Sequence, residues 1–398
     1  MAAVAGRDLQ GRCDPRFSLV AEALQDRLTT GEELGAAIAV DLDGEVVVNV
    51  WGGHRDEART ELWKHDTLVN IWSTTKLVTA LAVLVLVERG ELDLDAPVAR
   101  YWPDFAAAGK QDVLVRQVMG HTSGVSGWEQ PVRLRDMYDL EASTARLAAQ
   151  APWWAPGTAS GYHAATQGPL LGELVRRTSG LSLTRFVTEE LAGPLGVDVQ
   201  IGAAEADAVR ITPVVAPPPL HVDPRTLDLA SVQVRTVLGP LLSANAANSP
   251  AWRGAELGAL NGHATARGLA RLLSVLSLDG QASGLRLLSP AVVERTLEVQ
   301  ADGTDLVLRV PLRWGMGFGL PQPQTFPYLP SGRLLVWGGW GGSLVVMDLE
   351  RRMTVAYVMN RMGAGTIGSP RSAAYLRAAY GSLGEVLEVY EAQERPTS

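Results

Sequence analysis

The chain has 398 residues, 46% hydrophobic and 20% charged, which is enough apolar material for a large buried core and too much for a disordered chain. A formal net charge of -8 speaks against a nucleic-acid partner, because phosphate binding needs clustered Lys and Arg. One cysteine, Cys13, allows neither an internal disulfide nor a cysteine-rich zinc site.

Residues 1–10 show no basic stretch followed by an apolar run, which reads as a cytoplasmic protein. Residues 36–51 read as a hairpin: Ala-Ala-Ile-Ala-Val-Asp-Leu and Glu-Val-Val-Val-Asn-Val-Trp flank Asp43-Gly44, a tight-turn dipeptide. A long helix is expected over residues 73–89, ending at Gly90. Its apolar run, 77–87, is too short to span a bilayer, which needs about 20 residues. Pro97 and Pro103 punctuate a loop-rich region, and 169–178 reads as a helix with Pro169 in its first turn. Five prolines make 209–225 an irregular connector. Residues 262–277 return to helical spacing. The period then changes to two over 333–337, 343–349 and 353–359, three strands with short connections. A closing helix is expected over 373–391. Strands at both ends with helices between them predict one sheet assembled from both termini, with an inserted helical region.

The 35 basic residues include only three lysines, Lys64, Lys76 and Lys110. Arginine cannot give up its proton in a protein and lysine can, so each lysine kept in an arginine-biased chain merits scrutiny. Lys76 closes Ser73-Thr74-Thr75-Lys76, an S-x-x-K at a helix start. Spacing of three puts both side chains on one helix face, and the helix N-terminus favours a developing alkoxide. The plainer alternative is a capping serine followed by a solvated lysine. Apolar flanks, 69–72 before and Leu77 onward after, argue against that solvation.

Tyr162-His163-Ala164 follows Gly161 on a predicted loop. A loop tyrosine can relay a proton if a cation lowers its pKa; it can equally be a packing residue. Trp337-Gly338-Gly339-Trp340-Gly341-Gly342-Ser343 ends a predicted strand. Its glycines permit close approach of a backbone or ligand, and such a strand can lend an N–H to an oxyanion hole; a glycine-rich hairpin is the alternative. There is no G-x-S-x-G, H-E-x-x-H or Walker loop. His121, in Gly-His-Thr-Ser-Gly, reads as a turn-holding residue.

Together these segments resemble the serine β-lactamase and penicillin-binding-protein superfamily, most closely its esterase branch, the family VIII carboxylesterases, which look like class C β-lactamases. The flanking text is similar over 73–80 and 86–98. His121-Thr-Ser-Gly, Tyr162-His-Ala-Ala-Thr-Gln-Gly and Asn261-Gly-His-Ala-Thr-Ala-Arg-Gly-Leu-Ala-Arg follow in the expected order, so the resemblance covers 35–359. It implies an α/β plus α fold with an antiparallel sheet flanked by helices, built from 1–72 and 265–398. A mainly helical domain, 73–264, would cover one side, with the site at the junction. It implies Ser73 as acylated nucleophile, Lys76 as the group helping to deprotonate it, and Tyr162 as general base or relay. The backbone N–H groups of Ser73 and Trp340 would form the oxyanion hole. Trp337, Gly338, Gly339, Trp128 and His163 would contact substrate, and Trp154 fits the same apolar pocket. No metal or cofactor is implied.

Two departures shape the expected substrate. The family's β-lactamases carry asparagine where Ala164 stands, and K-T-G or H-x-G where Trp337-Gly338-Gly339 stands. Losing the amide and the cation removes two polar handles but leaves the acyl-transfer core. The resemblance therefore implies a small-molecule, fairly apolar carboxylic ester hydrolysed through an acyl-enzyme. Transfer of the acyl group to another acceptor, attack on a β-lactam or small amide, and a non-enzymatic binding role are the alternatives.

Overall fold

The computed structural model describes residues 1–5, 8–219, 223–385 and 387. Ten strands form one antiparallel sheet: β1 Ala2–Ala5, β2 Leu9–Cys13, β3 Gly35–Leu42, β4 Glu45–Gly53, β5 Ala301–Thr304, β6 Pro311–Trp314, β7 Gly319–Leu320, β8 Leu334–Gly338, β9 Leu344–Asp348 and β10 Met353–Met359. Their order is β1-β2-β4-β3-β10-β9-β8-β7-β6-β5. The join between the two ends of the chain is the β3–β10 pairing, which runs from Met353 opposite Leu42 to Met359 opposite Ala36. Among the described residues the sheet takes strands only from 2–53 and 301–359; β1, β2, β5, β6 and β7 are additional to the strands that the pattern of periods predicts.

Both faces of the sheet are covered, and β10 shows how. Thr354 and Tyr357 are three residues apart, so they point to opposite faces. Thr354 hydrogen-bonds Ser277 on α4 (Ala266–Ser277) at 2.9 Å. Tyr357 packs its ring 4.8 Å from Tyr375 on α5 (Pro370–Gly381), which lies against α1 (Ser18–Thr30). The inserted segment carries the other long helices, α2 (Thr75–Glu88) and α3 (Gln167–Ser179), packed on each other. α2 is buried along nearly its whole length, which explains an apolar run with almost no amphipathic stripe. Among the described residues no helix is long and apolar enough to cross a membrane.

The hairpin turns at Asp43 (φ 53°) and Gly44 (φ 84°), the left-handed pair that an Asp-Gly turn requires. Two sequence expectations need correction. Residues 262–277 are not all helix: Gly262–Ala264 is a strand between Val69–Asn70 and Val199–Ile201, and the helix begins only after Thr265, whose Oγ1 accepts from the Gly268 N–H. The closing helix starts earlier than residue 373 because Ser369 caps it and Pro370 opens its first turn; it ends at Gly381, and 388–391 lie outside the described residues. The connector 209–225 is irregular between Arg210 and the short helical turn Pro224–Thr226, with 220–222 (His221 among them) outside the described residues.

Candidate active site

Ser73 sits in the turn that delivers the chain from the three-stranded sheet into α2. The Ile71 N–H donates to Gly262 O at 2.9 Å, fixing the incoming strand. Thr75 Oγ1 donates to Trp72 O at 2.5 Å and accepts from the Gly262 N–H at 2.8 Å, fixing the turn itself. Trp72 takes φ 48°, an outlying conformation for a bulky residue. Its buried ring is wedged 5.2 Å from Trp252 and 5.0 Å from Trp340, which holds the strain in place. The result is a half-buried Ser73 at the head of a buried helix.

Lys76, one turn on, is buried, with Nζ 3.3 Å from Ser73 Oγ, 2.7 Å from Ala164 O and 3.0 Å from Ala259 O. Burial holds its pKa well below the ordinary lysine value of 10.5. A neutral amine has two N–H bonds and one lone pair. The two carbonyls can only accept, so they take the N–H bonds, and the lone pair is left facing Ser73 Oγ. That is the arrangement a proton acceptor for Ser73 needs.

Tyr162 closes the group. Its hydroxyl is within hydrogen-bonding reach of Ser73, its ring lies 4.8 Å from Lys76 Nζ, and the Trp337 indole Nε1–H donates to its oxygen at 3.1 Å. Burial pushes the phenol pKa up; the bonds from Ser73 and Trp337 pull it down, and Asp305 pushes it up further. Burial dominates, so Tyr162 rests as the phenol, suited to relaying a proton and not to standing as an anion. Trp337→Phe should keep the apolar wall but delete the indole N–H that donates to the phenol oxygen. A three- to tenfold fall in kcat, with little change in KM, is expected from the loss of one such bond and is checked by steady-state kinetics.

The glycine-rich strand end lies against the nucleophile turn. A Cβ on Gly339 would fall 2.3 Å from Ile71 O and 2.5 Å from Ser343 Oγ, so only glycine lets the backbones approach this closely. Ser343 Oγ donates to Ile71 O at 3.1 Å and lies 3.0 Å from Thr74 Oγ1, tying β9 to the start of α2. Among the described residues neither the Ser73 N–H nor the Trp340 N–H donates to a protein acceptor, which leaves both available to an anion. The 980 Å³ groove between Trp102, Leu140, Glu173 and Arg177 holds none of these groups.

The Beta-lactamase family model matches residues 20–389. The chain belongs to the beta-lactamase family. It is 35% identical over 369 residues to the esterase/beta-lactamase LipL of Mycobacterium tuberculosis, covering 90% of this chain and 84% of that protein. Its structure superposes on that of a family VIII carboxylesterase with a TM-score of 0.89 at 36% identity, covering 94% of this chain and 99% of the other. A penicillin-binding-protein homologue from Caulobacter crescentus gives 0.85 at 37% identity, over 94% and 100% of the two chains.

Within this beta-lactamase family fold, several residues expected to touch substrate are buried. His163 is buried, with Nδ1 2.6 Å from Gly161 O and Nε2 2.6 Å from Ser123 Oγ. Both ring nitrogens are thus committed to the loop, and burial lowers its pKa to about 4, so it stays neutral and structural. Trp128 is buried, with Nε1 donating to Ser143 O at 3.0 Å, and serves the core of the inserted segment. Trp337 is buried as well, and its polar atom reaches Tyr162. Gly338 packs against the Ser343 carbonyl. Trp340 and Trp154 remain half-buried. His121, in the left-handed region at φ 61°, ties its turn to the Tyr162 loop: its Nδ1 accepts from the His163 N–H at 3.1 Å, and its ring lies 5.0 Å from that of Tyr162. Sequence reasoning gives no site role to Ser343, Trp314 or Asp305; Ser343 and Trp314 stand in glycine-rich segments, the second of them read as close strand packing, and Asp305 stands in no motif.

Proposed function

We propose that this beta-lactamase-family protein is a serine carboxylesterase that hydrolyses small or medium-chain, fairly apolar esters through an acyl-enzyme on Ser73. The observation that carries the reading is the buried Lys76 Nζ placed 3.3 Å from Ser73 Oγ and between two main-chain carbonyls, beside a tyrosine held by an uncharged indole N–H. Where the family's β-lactamases present a cation at the third motif, this chain presents Trp337. A neutral donor supports proton relay but offers no charge to a substrate carboxylate. The family VIII carboxylesterase supports the same reading, and the esterase/beta-lactamase LipL supports ester hydrolysis without separating it from β-lactam hydrolysis.

In the proposed reaction Lys76 accepts the Ser73 proton, and the alkoxide attacks the ester carbonyl. The Ser73 and Trp340 N–H groups hold the oxyanion; a donor of this kind is worth about 10²–10³ in rate. Tyr162 passes its proton to the departing alkoxide and is reprotonated from Lys76. Water then attacks the acyl-serine by the same route in reverse, returning Ser73 and the free acid.

Steady-state assays of the pure protein with p-nitrophenyl butyrate and with a chromogenic cephalosporin test this reading. Saturable ester turnover with kcat/KM at least about tenfold above that for the β-lactam is expected, since one lost polar contact to substrate is worth about that factor. The reverse preference would make the protein a β-lactamase and remove the substrate argument.

A further inference from the structure

Asp305 is a buried carboxylate with no part in the reaction above. It lies just past β5, and its Oδ1 accepts three backbone N–H groups: Tyr162 at 3.0 Å, Val307 at 2.9 Å and Leu308 at 2.9 Å. Its Oδ2 faces Trp314 Nε1 at 3.4 Å. The Leu306 N–H donates to Ser160 O at 2.8 Å, so the 305–308 turn grips the 160–162 loop at two points. Two of these features bear directly on the tyrosine. The N–H held is that of Tyr162 itself, and the Trp314 ring touched by Oδ2 stacks on the Tyr162 ring, 5.9 Å away and within 4° of parallel. Trp314 also lies 4.4 Å from Trp337, which binds the phenol oxygen. Burying a carboxylate is costly unless it is fully hydrogen-bonded, and a backbone carbonyl would satisfy one N–H more cheaply. The Asp305 side chain fixes the main chain of Tyr162 from the sheet side and the stacking partner of its ring at once.

We infer that Asp305 is a positioning residue for Tyr162, setting the phenol where it can hand its proton to the leaving alcohol. The inference rests on the proton-relay role assigned to Tyr162. It predicts a particular defect. An alkyl alkoxide needs that proton to depart, whereas p-nitrophenolate departs without it. A misplaced Tyr162 therefore slows acylation by alkyl esters and spares p-nitrophenyl esters, while a loosened fold slows both alike.

The test measures kcat/KM for ethyl butyrate and p-nitrophenyl butyrate in the full chain and in Asp305→Ala, Asp305→Asn, Tyr162→Phe and the Asp305→Ala/Tyr162→Phe double variant. Circular dichroism establishes that each is folded. Asp305→Ala should lose about 10–100-fold on ethyl butyrate, the scale of a small misplacement of a reacting group, and less than about threefold on p-nitrophenyl butyrate. Asp305→Asn keeps an oxygen for the Tyr162 N–H and should fall between it and wild type; if the alanine variant does not fold, the asparagine variant carries the test. The double variant should be no slower on ethyl butyrate than Tyr162→Phe alone, because both changes remove the same contribution. Equal losses on the two esters, or a double variant slowed further by the full Asp305→Ala factor, would overturn the inference. A Tyr162→Phe variant with no selective loss on ethyl butyrate would overturn the relay reading beneath it, a result distinguishable from the other two.

Discussion

Replacing Ser73 by alanine should abolish ester turnover, lowering kcat by about 10⁶-fold, the scale seen when the nucleophile of a cooperating catalytic set is removed. The size of the effect follows from the geometry. Lys76 and Tyr162 both converge on Ser73 Oγ, and without that atom neither has a proton to move. The fold should be nearly indifferent. Ser73 is half-buried and its hydroxyl serves no backbone cap, so a change of about 1 kcal/mol is expected in a denaturant titration. Activity within tenfold of wild type in a pure preparation would show that the nucleophile lies elsewhere.

Lys76 should show the second-largest effect, with a signature that separates a base from a fixed positive charge. Lys76→Met, which keeps much of the volume, should lose about 10²–10⁴ in kcat/KM, the range of one general base. It also leaves the Ala164 and Ala259 carbonyls without their donor, at about 1–3 kcal/mol each in stability. Lys76→Arg supplies N–H donors and a charge but cannot release a proton, so it should be as inactive as the methionine variant. The pH dependence has a definite sign. The amine must be neutral to accept the Ser73 proton, so kcat/KM rises with pH as Lys76 deprotonates. Burial places that rise well below the ordinary lysine value of 10.5. A profile climbing only near that value, or an active arginine variant, would mean that Lys76 works as an ammonium.

The parts of this molecule that were legible in the sequence are those whose information is local. Asp43-Gly44 announces its hairpin because two adjacent left-handed residues are needed there and few dipeptides supply them. Residues 353–359 form a strand over their whole predicted length, since both faces of β10 are buried and the apolar run is unbroken. The S-x-x-K is readable because one helical turn brings its two ends together.

What stayed hidden depends on contacts between distant segments. Trp337 meets Tyr162 across 175 positions, and Asp305 meets it across 143. Nothing near Asp305 distinguishes it from a surface aspartate. The burial of His163 and Trp128 is hidden from the sequence for a related reason. Pocket wall and core draw on the same residue types, and only the fold decides which side of Tyr162 a neighbouring ring occupies. β1, with four small residues and exposed positions, and β7, two residues long, carry too little pattern to be seen at all.

The most direct test of the account is to catch the covalent intermediate. The protein would be mixed with p-nitrophenyl butyrate, quenched with acid during turnover, digested and read by mass spectrometry. A gain of one butyryl group on the peptide carrying Ser73, absent from Ser73→Ala and lost again as substrate runs out, is the predicted result. Rapid turnover with no acylated peptide, or with the butyryl group on another residue, would contradict it.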